Sequence, residues 1–395
     1  MRPVPNISSI RSSTPTQILV CLSHLRWNFV YQRPQHLLSR AAKNHLVFFL
    51  EEPLFEDISE PRLDLNHTPE GVRVGVPILP HGLSHREIVE AQKDMLDDLL
   101  AALPPLTLAF WYYTPMALEF SRHIEPDVLV YDNMDELSAF RGAPAPLLAL
   151  ERELFERADV VFTGGESLYE AKRGRHHNVQ CFPSSIDVSH FGKTRALSRK
   201  ISKTHVPDAP RLGFFGVIDE RMDPDLVAAI ADLRPAWQID MVGPVVKIDP
   251  ALLPQRDNLH WLGSRSYQEL PQEMARWDIG IMPFAINEAT RFISPTKTPE
   301  FLAAGLPVVC TPIRDVIRPY GQLGLVEIAA TAEEMVAKIE ILLARPRELW
   351  LAEVDAHLAK NSWDRTWDGM NAAMGEASNS LATGFAFAAK ERANV

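Results

Sequence analysis

Cysteine is scarce in this 395-residue chain: Cys21, Cys181 and Cys310 are odd in number and far apart. They fall in apparent strands, which argues against a disulfide scaffold and reads as reduced core thiols in a cytoplasmic protein. No apolar run approaches the roughly 20 residues of a membrane span. The start, Met1 to Thr16, is polar and rich in Pro and Ser without the apolar core of a signal peptide, so residues 1–15 are expected to be a disordered lead-in. Long basic runs are missing too. With 40 Lys+Arg against 51 Asp+Glu the net charge is −11, and a nucleic-acid partner is excluded for want of a phosphate-binding stripe. No short-period repeat is present, which excludes a solenoid.

What the chain does have is an alternation of β-branched apolar runs with helical patterns, the mark of parallel sheets covered by helices. Strands are expected at Gln17–Ser23, Leu46–Leu50, Leu106–Trp111, Val128–Asp132, Val160–Thr163 and Val179–Pro183. Helices fall between them at Arg33–Lys43, His85–Ala102 and Ala145–Ala158. A charged stretch, Lys193–Pro210, reads as low in structure and as the linker to a second set of strands at Arg211–Gly216, Gln238–Val242, Asn258–Leu262, Asp278–Pro283, Val308–Thr311 and Leu325–Ile328. The expected fold class is α/β, with two doubly wound, Rossmann-like domains facing across a cleft: 16–195, a linker 196–210, and 211–360. A helix over 361–380 and a tail over 381–395 follow. Ligands of such sheets bind at the carboxyl ends of the strands.

The segment from Asp278 to Thr311 carries the strongest chemical signal. Its strand runs into a polar loop, and Ser294-Pro295 reads as a helix opening, with the hydroxyl capping free N–H groups and proline at the first position. Lys297 and Glu300 then share one helix face beside donors that attract anions. A cation and free N–H groups suit a diphosphate, and a carboxylate suits sugar hydroxyls. The plain alternative is a solvated Lys–Glu pair on an ordinary buried helix.

Here the chain resembles the group 1, family-4-like glycosyltransferases of the GT-B fold. Glu300-Phe-Leu-Ala-Ala-Gly305-Leu-Pro307-Val-Val is similar to the second half of their paired-glutamate donor motif, while Phe292 stands where the first glutamate would be. Asn287, Thr290, Pro295, Lys297 and Glu300 fit the subgroup in which Asn-x-x-Thr-x-x-x-x-Pro-x-Lys-x-x-Glu replaces the paired acids. Further landmarks in matching order are Ala158-Asp-Val-Val-Phe-Thr-Gly-Gly-Glu-Ser-Leu, Cys181-Phe-Pro-Ser-Ser185-Ile-Asp187, Leu212-Gly-Phe-Phe-Gly216 and Ser362-Trp-Asp-Arg365. The resemblance implies transfer of a sugar from a UDP- or GDP-sugar to a hydroxyl of a glycan, lipid-linked or small-molecule acceptor, with retention of configuration. Gly216, Arg221, Asn287, Thr290, Ser294, Pro295 and Glu300 would hold the donor, and Lys297 would stabilise the leaving diphosphate. No cofactor or metal is implied. Asp223-Pro-Asp225 looks like a metal clamp but reads better as a helix cap.

In the first domain, the loop after the first strand, His24-Leu-Arg26-Trp27-Asn-Phe-Val-Tyr31-Gln-Arg33, lies by position at the cleft and lacks glycine. His24, Trp27 and Tyr31 are candidates to meet an acceptor sugar, Arg26 and Arg33 an acidic one, and Glu51 or Glu52 its hydroxyls. Asp132 and Asp135 end another strand and are candidate general bases, or else a loop tie and a helix cap. The patch Lys172-Arg173-Gly-Arg175-His176-His177 either serves a helix C-terminus or meets an anionic membrane surface at the inner face. Two other readings stay open: a nucleotide-sugar epimerase on the same fold, and a non-catalytic binder of sugar nucleotides or glycans.

Overall fold

The computed structural model describes residues 15–204 and 209–392, so most of the expected lead-in lies outside the described residues. The first sheet contains β1 (Gln17–Leu22), β2 (Leu46–Leu50), β3 (Leu54–Glu56), β4 (Arg62–His67), β5 (Arg73–Pro80), β6 (Thr107–Tyr112), β7 (Val128–Asn133), β8 (Val160–Thr163) and β9 (Val179–Cys181). Its order is β3-β5-β2-β1-β6-β7-β8-β9, with β4 antiparallel on β5 and the remaining pairs parallel. The second sheet contains β10 (Arg211–Phe215), β11 (Gln238–Val242), β12 (Leu259–Gly263), β13 (Ile279–Met282), β14 (Val308–Cys310) and β15 (Glu327–Ile328), in the order β12-β11-β10-β13-β14-β15 and all parallel. In each sheet the chain starts near the middle and reverses direction of winding beside its first strand. The carboxyl ends around β1 and β10 are therefore the topological switch points.

Local sequence explains the elements. β2, Leu-Val-Phe-Phe-Leu, is buried at every residue, as a strand covered on both faces must be. The helix Arg33–Ala41 carries Pro34 in its first turn and is opened by a reciprocal Gln32–Gln35 box. Ser84 and Glu87 do the same for His85–Ala101. Asp223 caps Pro224–Leu233 by accepting from the Leu226 N–H at 2.9 Å, so the Asp-Pro-Asp sequence is a helix start.

Three expectations are corrected. The stretch read as an unstructured linker contains a helix, Lys193–Thr204, whose Arg195 donates to the Ala303 carbonyl and to Asp355. The region between β2 and β5 carries β3 and β4, which polar, partly exposed sequence concealed. The last helix begins at Trp363 as expected, but its backbone runs to Arg392. It returns to the first domain, burying Trp363, Trp367, Met370 and Met374 in the core formed by Leu19, Trp111, Val130 and Phe162. His36 stacks on Trp363 with ring centroids 4.5 Å apart. Each such buried side chain contributes about 1.5–3 kcal/mol, which makes this helix part of the first domain's stability.

The domains meet through specific contacts. Tyr31 stacks on Tyr267 at 4.5 Å, and Tyr267 stacks on His190 at 4.0 Å. Asp315 accepts from the Ser167 N–H at 3.0 Å, and Arg314 and Arg318 both pair with Glu170.

Candidate active site

The loop after β10 sets the geometry. Gly216 has φ +136, a conformation that only glycine adopts readily, and it allows Lys297 from the facing segment to lie directly against the backbone. A Cβ built on Gly216 would stand 2.5 Å from Lys297 Nζ and closer still to Cε. The Lys297 ammonium also sits 5.9 Å from the centroid of the Phe214 ring. Arg221 follows on the same loop. Asp219 grips it with two oxygens, at 3.0 Å to Nε and 2.7 Å to Nη2, and its guanidinium lies over Phe140 of the first domain at 5.5 Å.

The helix carrying Lys297 spans Lys297–Ala304 and ends on Gly305 in the left-handed conformation. It begins later than Ser294-Pro295 suggests. Thr296 occupies the cap without a side-chain hydrogen bond; the Thr298 N–H bonds the Pro295 carbonyl at 3.2 Å, Pro299 has no N–H, and the helix start offers at most the Lys297 N–H. Ser294 and Pro295 instead line the approach, with the Ser294 carbonyl accepting from Ser184 Oγ of the first domain at 3.4 Å. Asn287 and Thr290 do not reach toward a ligand. They cap one another in the loop, and Asn287 Nδ2 donates to the Glu220 carbonyl while Thr290 Oγ1 donates to Ala285. Their role is to fix the strand-to-helix loop against the Gly216–Arg221 loop.

A cavity of about 150 Å³ collects these groups: Gly216, Arg221, Ser294, Lys297 and Glu300 from the second domain, and Tyr31, Arg33 and Asp135 from the first. It adjoins a larger cleft of about 750 Å³, and the two share Tyr31, Phe215, Gly216 and Tyr267. Burial dominates the electrostatics. It pushes the Glu300 carboxyl up to about 8 despite the neighbouring Lys297, and it holds Lys297 below an ordinary lysine, with Arg221 acting in the same direction. Asp135 is raised to about 6 by burial, against the pull of Arg221, Arg33 and Lys297. A cavity with two cations and a protonatable carboxyl is suited to a diphosphate joined to a polyol.

Several first-domain candidates make internal contacts, although Arg26, Trp27, Tyr31 and Glu51 also line the larger cleft. Asp132 is fully buried and held by Arg33 through two hydrogen bonds of 2.9 Å, while Arg33 Nη1 donates to the Phe182 carbonyl at 2.7 Å. The pair is an internal tie that holds Asp132 against Arg33, while Arg33 still lines the cavity. Trp27 is 7% exposed and packs edge-on against Phe49 at 5.1 Å, as core. Glu51 accepts from the Trp27 N–H at 2.8 Å and from Arg26 at 3.0 Å; those contacts fold the glycine-free loop down. His24 is held neutral, with a pKa lowered to about 4 by burial. Its Nδ1 is buried without a partner among the described residues.

In the basic patch Lys172 is buried, whereas Arg173, Arg175 and His177 are exposed. Lys172 lies between Glu136 (2.7 Å) and Glu151 (2.9 Å), Arg175 pairs with Glu151, and His176 Nε2 bonds the Ala158 carbonyl at 2.9 Å.

Tyr267 and Asp219 belong to the site and escaped sequence reasoning. Tyr267 lies in the loop that follows β12, a strand-end position that could have flagged it. Asp219 is signalled only by its spacing of two from Arg221.

Residues 209–345 match the family described as "Glycosyl transferases group 1". A putative teichuronic acid biosynthesis glycosyltransferase, TuaH, of Bacillus subtilis (strain 168) is 27% identical over 241 residues, covering 55% of this chain. The match spans 59% of that relative's length. Among solved structures, sucrose-phosphate synthase from Thermosynechococcus elongatus superposes with a TM-score of 0.68 at 14% identity, covering 93% of this chain and 100% of the other. Anabaena HepE in complex with UDP and glucose superposes with a TM-score of 0.62 at 14% identity, covering 90% and 99%. The fold is GT-B.

Proposed function

We propose that this chain is a glycosyltransferase that moves a sugar from a UDP- or GDP-sugar to an acceptor hydroxyl, with the donor held by the second domain and the acceptor by the first. The observation that carries the reading is the convergence of Lys297, Arg221, Glu300 and Asp135 in one cavity at the carboxyl ends of β10 and β13, facing the first domain. The family match over the second domain and the UDP and glucose bound by HepE support it.

The chemistry follows from charge. Breaking the bond between the sugar's anomeric carbon and the β-phosphate oxygen leaves that electron pair on the diphosphate. The Lys297 ammonium stabilises this charge more as it grows than before it forms. Arg221, clamped by Asp219, presents its face to the same cavity. Glu300, largely protonated at neutral pH, can hydrogen-bond the ribose hydroxyls as donor and acceptor. The acceptor oxygen bonds the anomeric carbon, and its proton leaves on the diphosphate if transfer retains configuration. Asp135, raised to about 6, is ionised at neutral pH and can take that proton if transfer inverts.

With the cations Lys297 and Arg221 in the cavity, the site works without a divalent ion. A screen of UDP- and GDP-sugars reading free nucleoside diphosphate, run in excess EDTA, tests this. Acceptor-dependent release that persists in EDTA is expected. Loss of activity with rescue by magnesium or manganese would contradict it.

A further inference from the structure

Beside the cleft, at the carboxyl ends of β1, β2 and β6, the first domain holds a second cavity of about 300 Å³. It adjoins the main cleft at Glu51, which lines both. Its walls are apolar side chains, Leu50, Phe55, Ile88, Val89, Met116 and Phe120, from five separate elements. Phe55 and its neighbour Leu54 are 42% and 44% exposed, although they are large apolar residues at the edge of the cavity. Exposed apolar surface continuous with a concave pocket marks a ligand site more often than chance.

Carboxylates lead the polar groups of this cavity. Glu51, Glu52 and Glu119 supply carboxylates, joined by His85, Gln92, Ser23 and Thr114. His85 bonds Glu119 at 3.2 Å. Arg26 is the nearby cation, and Glu51 holds it at 3.0 Å together with the Glu52 and Pro53 carbonyls. No lysine or arginine lines the cavity, so an anion entering it meets carboxylates and an arginine already paired.

We infer that this cavity is an acceptor subsite that takes an apolar group attached to an uncharged or cationic sugar, and that it rejects acceptors carrying a carboxylate or phosphate at that point. The inference rests on the glycosyltransferase reading for the word acceptor, but the binding it predicts does not. The carboxylates accept hydrogen bonds from sugar hydroxyls, and the Ile88–Phe120 walls take the attached alkyl or aryl group out of water. Like-charge juxtaposition, partly screened by salt, supplies the discrimination.

The test is equilibrium binding of three probes followed by ligand-observed NMR: n-octyl β-D-glucoside, n-octyl β-D-glucuronide, and free glucose. The glucoside is expected to bind, the glucuronide about tenfold more weakly at low salt, and glucose weaker than either. Ile88→Asp, on the outer face of a helix, should abolish glucoside binding, and Val89→Asp serves as a second variant should the first fail to fold. The double variant Glu52→Gln/Glu119→Gln should bring the glucuronide level with the glucoside. Equal or tighter binding of the glucuronide to the wild type, or glucoside binding unaltered in both wall variants, would overturn the assignment. UDP affinity, measured on the same samples, should be unchanged by the wall variants. If UDP fails to bind the wild type while the probes behave as stated, the donor reading falls and the pocket stands.

Discussion

Gly216→Ala tests the contact on which the site depends. The methyl group would stand 2.5 Å from Lys297 Nζ and closer to Cε, far inside van der Waals contact. Because the obstruction is the far end of a flexible side chain, Lys297 should swing away while the loop holds. The backbone at φ +136 adds about 1–3 kcal/mol of strain for a non-glycine residue, and each kcal/mol lowers the Tm of a 150–250-residue domain by about 2–4 °C. Displacing the ammonium by roughly 1 Å costs up to about 10² in rate. The assay compares kcat and Tm for Gly216→Ala, Lys297→Ala and the double variant. If the glycine acts by making room for the lysine, the double variant loses no more rate than Lys297→Ala alone. Losses that multiply, or wild-type turnover in Gly216→Ala, would refute the reasoning.

Two other outcomes follow from burial. Arg33→Ala strands the fully buried Asp132 carboxylate, and should cost about 3–5 kcal/mol in denaturant unfolding; Arg33→Lys should recover little, since one ammonium cannot replace a two-pronged guanidinium. A loss below about 1 kcal/mol would show that the pair holds nothing. Nucleoside diphosphate binding should take up protons. Its negative charge raises the pKa of both Glu300, about 8 in the free protein, and Lys297, lowered there by burial. Groups whose pKa rises on binding favour the complex at pH below their free value, so affinity should fall as pH climbs above about 8, and Glu300→Gln should flatten that fall. Calorimetry in buffers of different ionisation enthalpy reads the uptake; proton release, or an affinity constant from pH 7 to 9, would count against it.

The sheet strands of both domains were legible because β1, β2, β7 and β13 are continuous apolar runs that only a doubly covered parallel sheet accommodates. β3 was not, since Leu54–Glu56 is only three residues long; β4 alternates polar and apolar from Arg62 to Asn66, a strand period that is short and flanked by polar sequence. Lys297, Glu300, Gly216 and Arg221 could be placed from sequence because strand ends and a helix start fix where a backbone faces. The orientation of the first-domain side chains was less legible, for the opposite reason. Trp27, Arg33 and Asp132 are at the right height in the fold, but whether a side chain at a strand end turns toward ligand or toward core depends on partners such as Phe49 and Phe182, which are distant in sequence. Asn287 and Thr290 show the same limit: their spacing was read correctly, and the spacing turned out to serve a capping box.

The central claim is that Lys297 bears the charge of the leaving diphosphate. Turnover of the preferred nucleotide sugar by Lys297→Ala, read as nucleoside diphosphate released, measures it most directly. The account predicts a fall in kcat of about 10² or more, with donor affinity reduced much less. Wild-type turnover in Lys297→Ala, with activity lost instead in Arg221→Ala, would place the charge-bearing role on the Gly216–Arg221 loop and contradict the claim.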